Sequence, residues 1–388
     1  MAAPLHPYAR TPGLRAARLV ILAMIAGACR SASPPPPVVR FLHTFNPDET
    51  RLVDELVGEL GLAVEAALVP FARGRQVIGE ILRAGTDCPD LVRIDATWLP
   101  ELVARALVRE VPPALAAQDW TPQAAELAQL AARWWSVPQA VDGLVVVRDP
   151  AVPPPASPSL TDLVAAARAA RTATRRYPLS VRVDGYWFVP WLRDAGGELV
   201  PGGAGEPAIR AMTRIAALFG DVAPPPPSPG LEEPDENQRW ARGDIAYWIT
   251  GPWNFHLLGA RAPIAVSALA HAPRGGQLLV VPRCAKHPDG GWQLAAALTS
   301  HAALARFAER FAAVPPRASA LAAAPALSRA ADEALRGAAM LPRDPVTPLL
   351  FDDLNAALTA VAVGDATPED AVAGLGRAWQ RITRRAVP

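Results

Sequence analysis

Predicted strands and helices alternate along the first part of the chain, and this alternation is the feature that most constrains its fold. The strand-like segments are residues 38–45, 62–70 and 89–95, and the helix-like segments that follow them are residues 48–60, 74–85 and 98–107. Such alternation predicts a parallel β-sheet covered by helices, which is an α/β fold. Because 388 residues exceed what one ordinary core organises, we expect two lobes of this kind.

Several polar and aromatic side chains follow the predicted strands. Asn46 comes after the first strand, and Asp95, Thr97 and Trp98 come at the end of the third. In open α/β sheets, ligands bind beside the carboxyl ends of the strands. We therefore expect these four residues to line a cleft.

The N-terminal segment predicts export from the cytoplasm. Three arginines precede the apolar run 19–28, which is too short to span a bilayer as a stable helix. A basic region, a short apolar core and small residues at its end predict an export signal over residues 1–28. The run ends in "AGAC", which is similar to a bacterial lipoprotein cleavage box, so Cys29 is the expected lipidation site and residues 29–39 form a proline-rich linker. The alternative is plain secretion with an incidental Cys29.

Composition and motifs exclude several functional classes. A net charge of +1 offers no electrostatic basis for binding nucleic acid. Lys286 is the only lysine, and a P-loop requires a lysine beside its Gly-rich turn. The chain has no G-x-S-x-G and no H-E-x-x-H, and its six histidines show no metal-ligand spacing. We therefore predict no catalytic residue, no metal and no cofactor.

Six segments together resemble one known family. They are "PDLVRIDATWLPELVARALV", "WWSVPQAVDGLVVVRD", "DGYWFVPWLRDAGGELV", "RWARGDIAYWITGPWNF", "GGQLLVVPRCAKHPDGGW" and "ATPEDAVAGLGRAWQRI", spread over residues 89–382. They occur in family order behind the predicted export signal. On these segments the chain resembles the extracellular solute-binding proteins of bacterial ABC importers, in particular the carbohydrate branch that includes the maltodextrin-binding proteins.

The resemblance implies a fold and a working mode. The fold is periplasmic-binding-protein-like with type II topology, in which two α/β lobes are joined by crossing hinge strands and close on a ligand. The expected first lobe comprises residues 40–143 and 275–312, and the second comprises residues 147–270 and 318–388. The implied partners are a small carbohydrate and the membrane permease of an ABC importer, and the implied state is a monomer.

The resemblance also implies a disulfide. In this fold the return strand from the second lobe runs antiparallel beside the strand "PDLVRI". The start of one strand then neighbours the end of the other, which brings Cys88 close to Cys284. Exported proteins occupy compartments in which disulfides persist, so we expect these two cysteines to be paired.

The resemblance further implies ligand-binding residues. Asp184 and Tyr186 stand in "DGYW", where the family uses an acid and an aromatic residue, and Trp253 follows Gly-Pro, where the family's tryptophan stacks on a sugar ring. Asp142 on the hinge strand and Arg274 at the return crossing are further candidates. For Trp253 the alternative is a core residue, and for Asp142 it is a structural hydrogen bond.

The chain departs from the maltodextrin branch at one strand end. That branch carries an aromatic residue where Ile94 stands, and an acid and an arginine where Thr97 and Trp98 stand, so the sugar class carries over but the particular sugar does not. The expected function is a lipid-anchored, extracytoplasmic protein of the cell envelope or periplasm that captures an oligosaccharide-like carbohydrate. The alternatives are a binding protein for a polyamine, metal or anion, a sensory or adhesive lipoprotein, and a secreted enzyme.

Overall fold

The computed structural model describes residues 37–226, 236–260 and 263–386. From Val38 onward the chain forms one compact unit. The predicted export signal over residues 1–28 and the predicted lipidation site Cys29 lie outside the described residues. Among the residues that are described, no helix combines the length and the apolar character needed to cross a membrane.

Strands and helices succeed one another along the described chain. The strands are β1 (Val39–His43), β2 (Val64–Leu68), β3 (Leu91–Asp95), β4 (Gln129–Leu130), β5 (Arg133–Trp134), β6 (Val137–Gly143), β7 (Val145–Arg148), β8 (Leu179–Ser180), β9 (Tyr247–Thr250), β10 (Ala265–Ser267), β11 (Pro273–Val280) and β12 (Ala339–Met340). The helices are α1 (Pro47–Glu59), α2 (Phe71–Ala84), α3 (Leu99–Ala104), α4 (Pro113–Ala116), α5 (Pro122–Ala128), α6 (Leu160–Ala169), α7 (Gly185–Asp194), α8 (Glu206–Ala216), α9 (Glu236–Ala241), α10 (Phe255–Gly259), α11 (Pro288–Leu298), α12 (His301–Phe311), α13 (Ala318–Ala323), α14 (Ala326–Leu335), α15 (Thr347–Val363) and α16 (Pro368–Ala386).

The first lobe is built on a six-stranded sheet. Its order is β12-β11-β3-β1-β2, and β6 also pairs with β11. β1 runs parallel to β2 and β3, whereas β11 runs antiparallel to both β3 and β6. The antiparallel return strand that the resemblance implies is therefore confirmed, while the parallel pairing expected from the strand–helix alternation holds for β1, β2 and β3.

The second lobe is built on a four-stranded sheet. Its order is β10-β7-β9-β8, in which β8 and β9 are parallel and β7 is antiparallel to both of its neighbours. Only Leu144 separates β6 of the first sheet from β7 of the second. The chain therefore crosses between the lobes in a nearly continuous extended segment, as expected for hinge strands.

Asn46 forms the N-terminal cap of α1. Its side chain accepts hydrogen bonds from the backbone N–H groups of Asp48 at 2.9 Å and Glu49 at 2.8 Å. The carboxylate of Glu49 accepts from the backbone N–H of Asn46 at 2.9 Å, which completes a capping box. The structure thus places this predicted cleft residue in a helix cap at the carboxyl end of β1.

A disulfide joins the ends of β3 and β11, the two strands that the family resemblance predicted to be neighbours. Cys88 precedes β3 and Cys284 follows β11, and the antiparallel pairing of these strands sets Val92 opposite Val280. The two cysteines are bonded, with their Cα atoms 5.8 Å apart. The disulfide therefore closes the end of this strand pair that lies away from Asp95.

Candidate functional site

Two carboxylates converge on the first sheet through strand register. Asp142 of β6 pairs with Gly275 of β11, and Gln277 of β11 pairs with Asp95 of β3. Because side chains alternate between the two faces of a strand, positions 275 and 277 of β11 face the same side. The Nε2 atom of Gln277 accordingly lies 3.4 Å from the Oδ2 atoms of both Asp95 and Asp142.

Asp95 is held in place by the turn that follows it. Its Oδ1 atom accepts hydrogen bonds from the backbone N–H of Thr97 at 2.8 Å and from the Thr97 hydroxyl at 2.5 Å. Burial raises the pKa of the Asp95 carboxyl, while the Thr97 hydrogen bonds act in the opposite direction. Thr97, another predicted cleft residue, therefore positions Asp95.

Asp142 is nine-tenths buried, with 9% of its surface exposed. Burial, followed by the charge of Asp95, raises the pKa of the Asp142 carboxyl to about 7. The hydrogen bond from Gln277 and the charge of Arg93 oppose this shift without cancelling it. A carboxyl with this pKa exchanges its proton near neutral pH and can act as either a donor or an acceptor.

A buried arginine, Arg93, lies close enough to the two carboxylates for its charge to act on both. Arg93 of β3 donates from Nε to Gln139 Oε1 and from Nη1 to Thr44 Oγ1, each at 3.2 Å. Its guanidinium carbon lies 4.0 Å from the centre of the Phe45 ring. Arg93 thus neutralises part of the local negative charge from a distance, while its hydrogen bonds go to neutral groups.

Three aromatic rings from the second lobe form a cluster. The ring centres of Tyr186 and Trp253 are 6.5 Å apart, and Trp187 lies 5.8 Å from the first and 5.9 Å from the second. The indole N–H of Trp187 donates to the Ile249 carbonyl at 2.8 Å, which fixes that ring to β9. All three rings are half-buried, so each retains exposed apolar surface.

Local backbone features position two of these rings. Asp184 is the N-cap of α7, and its Oδ1 atom accepts from the backbone N–H of Tyr186 at 2.9 Å. The Trp253 ring lies over Gly251, where a Cβ atom would come within 2.2 Å of the indole. Pro252 begins the short 3₁₀ turn that carries Trp253. Glycine at 251 is therefore required for the observed position of this tryptophan.

The acids of the first lobe meet the aromatic residues of the second lobe at Gly275. A Cβ atom at this glycine would lie 2.9 Å from Asp142 Oδ1 and 3.1 Å from the Tyr186 hydroxyl. Burial and the charges of Asp142 and Asp95 raise the pKa of Tyr186 well above its usual range. We call Asp95, Asp142, Tyr186 and Trp253 the acid–aromatic group.

Two other predicted cleft residues have structural contacts. Trp98 is 8% exposed, and its ring packs over Gly74 and lies 5.5 Å from the Phe71 ring. Arg274 donates from Nη1 to the Ala338 carbonyl at 3.0 Å and forms an ion pair with Glu126. Little of the Trp98 surface is left for a ligand, and the Arg274 guanidinium already has protein partners.

Other side chains of the two lobes are also in contact. His256 of α10 lies with Nε2 3.7 Å from Asp48 Oδ2 of α1, and its ring lies edge-on, 5.2 Å from Phe311 of α12. Arg75 of α2 lies 3.3 Å from the carboxylate of Asp352 on α15. The structure is therefore a closed form in which the lobes are in contact.

Three residues near the acid–aromatic group were not predicted from the sequence as site residues: Arg93, Gln277 and Trp187. Each carries a visible signal, since Arg93 interrupts "LVRID", Gln277 interrupts "GGQLLVV", and Trp187 follows Tyr186 directly. A charged or amide side chain inside an otherwise apolar strand needs a partner, which makes such positions candidates for a site. Among the described residues, no three His, Cys, Asp or Glu side chains come together as a metal site would require.

Comparison with known proteins places the chain in a family. The sequence model of the family described as "Bacterial extracellular solute-binding protein" matches residues 58–305, which is more than half of the chain. No characterised protein sequence matches the chain significantly.

Solved structures share the fold at low sequence identity. The GacH receptor of Streptomyces glaucescens, solved unliganded and with acarbose, is 22% identical with a TM-score of 0.77, covering 89% of this chain and 98% of that one. The MalE domain of Bdellovibrio bacteriovorus bound to maltotriose is 15% identical with a TM-score of 0.77, covering 90% and 100%. A substrate-binding protein of Listeria monocytogenes in complex with cycloalternan is 16% identical with a TM-score of 0.77, covering 90% and 99%.

Proposed function

The chain belongs to the bacterial extracellular solute-binding proteins, and from this premise we propose that it captures a carbohydrate between its two lobes and delivers it to an ABC importer. The observation that carries the proposal is the acid–aromatic group. Tyr186 and Trp253 offer flat apolar faces to a sugar ring, while Asp95 and Asp142 offer acceptors to its hydroxyl groups. The sugars named for the similar structures support the same class of ligand.

The proposal assigns residues 40–143 and 275–312 to the first lobe and residues 147–270 and 318–388 to the second. In this proposal Asp184 is the helix cap that orients Tyr186. Four further residues shape the ligand site on its first-lobe side and at the hinge: Asn46, Thr97, Trp98 and Arg274. A ligand bound to one lobe gains contacts from the other, so it selects the closed form. The protein acts as a monomer that releases its sugar chemically unchanged.

A thermal unfolding experiment tests the class of ligand. The purified protein is heated alone and with maltotriose, spermidine, Zn²⁺ or phosphate, and the product of the sugar incubation is analysed by chromatography. A ligand at a hundred times its Kd adds about 2.7 kcal/mol to the stability of the folded state, which produces a clear shift. Stabilisation by spermidine, metal or phosphate, with none by any sugar, would contradict the proposal, as would cleavage of the sugar.

Acid pH should weaken ligand binding through His256. In the closed form, burial lowers the pKa of this histidine below its ordinary value of 6.5, although Glu49 and Asp48 act in the opposite direction. The closed form thus binds fewer protons than an open form with a solvated imidazole, so closure keeps its full advantage above about pH 6.5 and loses it below that value. We expect Kd to rise several-fold between pH 7.5 and pH 5.5 by calorimetry.

His256→Gln isolates this contribution. Glutamine keeps a polar side chain but cannot titrate, so the difference in pH dependence between the two proteins belongs to the histidine. An identical pH profile in the variant would show that closure is not linked to the protonation of His256.

Lipid anchoring at Cys29 is part of the proposal. It rests on the sequence alone, in which an export signal over residues 1–28 precedes the cysteine and a proline-rich linker follows it. The protein expressed with its own leader should enter the detergent phase in a detergent-partitioning experiment, and Cys29→Ser should move to the aqueous phase. Partitioning of both proteins into the aqueous phase would support plain secretion instead.

A further inference from the structure

The two carboxylates of the acid–aromatic group have fewer hydrogen-bond donors than they can accept. A single amide nitrogen, Gln277 Nε2, serves Oδ2 of both Asp95 and Asp142, at 3.4 Å from each. Among the described residues, no donor is bonded to Asp142 Oδ1, although this side chain is nine-tenths buried. The Oε1 atom of Gln277 is buried without a hydrogen-bond partner there. A buried acceptor without a donor, beside a carboxylate oxygen that also has none, indicates a place that a ligand completes.

Asp142 Oδ1 lies beside Gly275, where the two lobes are in close contact. Gly275 has no side chain, and the position its Cβ would take lies 2.9 Å from Asp142 Oδ1 and 3.1 Å from the Tyr186 hydroxyl. Among the described residues, the Tyr186 hydroxyl makes one hydrogen bond, a long one of 3.4 Å to the Pro273 carbonyl. Asp142 therefore lies directly beside an aromatic residue of the second lobe.

The positive charge near Asp142 is too small to balance the negative charge of the surrounding carboxylates. The nearby acids are Asp95 and Glu49, and the nearby cation is Arg93, which donates its assigned hydrogen bonds to Gln139 and Thr44. Burial and the Asp95 charge consequently raise the pKa of Asp142 to about 7. A positive group placed between the two acids would let both ionise.

The second lobe supplies an environment that also favours a cation. The half-buried rings of Tyr186 and Trp253 lie 6.5 Å apart, and the Tyr186 hydroxyl lies near Asp142. The faces of aromatic rings carry negative charge density that attracts an ammonium group. The same rings can pack against the apolar face of a sugar. The Tyr186 and Trp253 rings therefore suit both parts of an amino sugar, its ammonium group and its apolar ring face.

We infer that the ligand of this site is a saccharide bearing a free amino group, whose ammonium binds between Asp95 and Asp142. The inference rests on the proposed function and names the class of sugar. An ammonium brings three N–H donors and a positive charge, so it can bond Asp142 Oδ1 and the second carboxylate at once. A neutral hydroxyl donates only one hydrogen and leaves the repulsion between the acids in place.

The test compares two trisaccharides that differ at the amino group. Calorimetry at pH 7.0 measures Kd for the trisaccharide of glucosamine and for the trisaccharide of N-acetylglucosamine, with maltotriose as a third probe. We expect the free amine to bind roughly tenfold tighter or more than its acetylated counterpart, since charge-assisted hydrogen bonds are about twice as strong as neutral ones. Equal affinity for the two would overturn the inference.

Variants at Asp142 separate charge recognition from general damage. Asp142→Asn keeps the shape of the side chain and should reduce the ratio of amine to acetyl affinity to near unity, whereas Asp142→Glu keeps the charge and should retain most of the preference. Asp332→Asn is the matched control, because burial also raises the pKa of this half-buried acid on α14 and it lies outside the acid–aromatic group. Thermal unfolding of each variant verifies its fold.

The outcomes distinguish this inference from the proposed function. If maltotriose or the acetylated trisaccharide binds while the free amine has no advantage, the inference fails and the carbohydrate function stands. If no saccharide stabilises the protein, both fail. A preference for the amine that survives in Asp142→Asn would also overturn the inference, because the charge would then be recognised elsewhere.

Discussion

Replacing Trp253 with alanine should abolish sugar binding while the protein remains folded. The ring lies over Gly251 within 6.5 Å of Tyr186, and it is half-buried, so it has surface to offer a ligand. Central aromatic residues of binding sites contribute about 2–4 kcal/mol by alanine replacement, which corresponds to roughly a 30- to 700-fold rise in Kd. Calorimetry with a saturating carbohydrate ligand would measure this change in Kd.

Trp292→Ala is a matched control for this experiment. Trp292 is also half-buried, but it lies on α11 and packs against the core of the first lobe. We expect this variant to lose stability by an amount similar to Trp253→Ala and to bind sugar with unchanged Kd. If Trp253→Ala fails to fold, or folds and binds as tightly as the original protein, Trp253 is a packing residue.

Removing the disulfide should cause the largest loss of stability. The bond joins Cys88 and Cys284 across a sequence separation of 196 residues. The loop-entropy relation gives about 5 kcal/mol for a loop of this length, and loss of native disulfides typically costs about 2–5 kcal/mol. Cys88→Ser/Cys284→Ser should therefore unfold at a clearly lower urea concentration. Ligand affinity should change little, because the disulfide is at the end of β3 opposite Asp95.

The oxidised and reduced forms of the original protein provide the comparison for the double variant. Under reducing conditions the original protein should unfold at the same urea concentration as the double serine variant, since both lack the cross-link. An unchanged midpoint in the double variant would mean that strand pairing alone supplies the stability at this position. A fall in ligand affinity without a fall in stability would instead indicate that the bond shapes the cleft.

Local patterns predicted much of the secondary structure. Helix α1 was expected over residues 48–60 and occupies Pro47–Glu59, because its apolar spacing and its acidic first turn are encoded within a few residues. In "RWARGDIAYWITGPWNF", Trp240 lies in a helix and Trp248 in a strand, and their exposures of 3% and 6% make both packing residues. Trp253 is half-buried, and its contact with a ligand stays a prediction.

The alternation of strands and helices does not by itself predict the direction of strand pairing throughout the first sheet. Alternating strands and helices indicate parallel pairing, but β11 returns from the other lobe and runs antiparallel to β3. That reversal depends on the path of the chain through both lobes. The contacts of Trp98 with Gly74 and Phe71, which bury most of its surface, likewise arise only in the tertiary structure.

By itself, the sequence determined the α/β elements, because each of these depends on neighbours a few positions away, and its resemblance to a family singled out Tyr186 and Trp253. Only the tertiary structure decided that Asp95, Asp142 and Gln277 share one face and that Gly275 lies between Asp142 and Tyr186. The physical reason is strand register. Residues that are more than a hundred positions apart meet only after β3, β6 and β11 have paired, and the electrostatics of the site arise from that pairing.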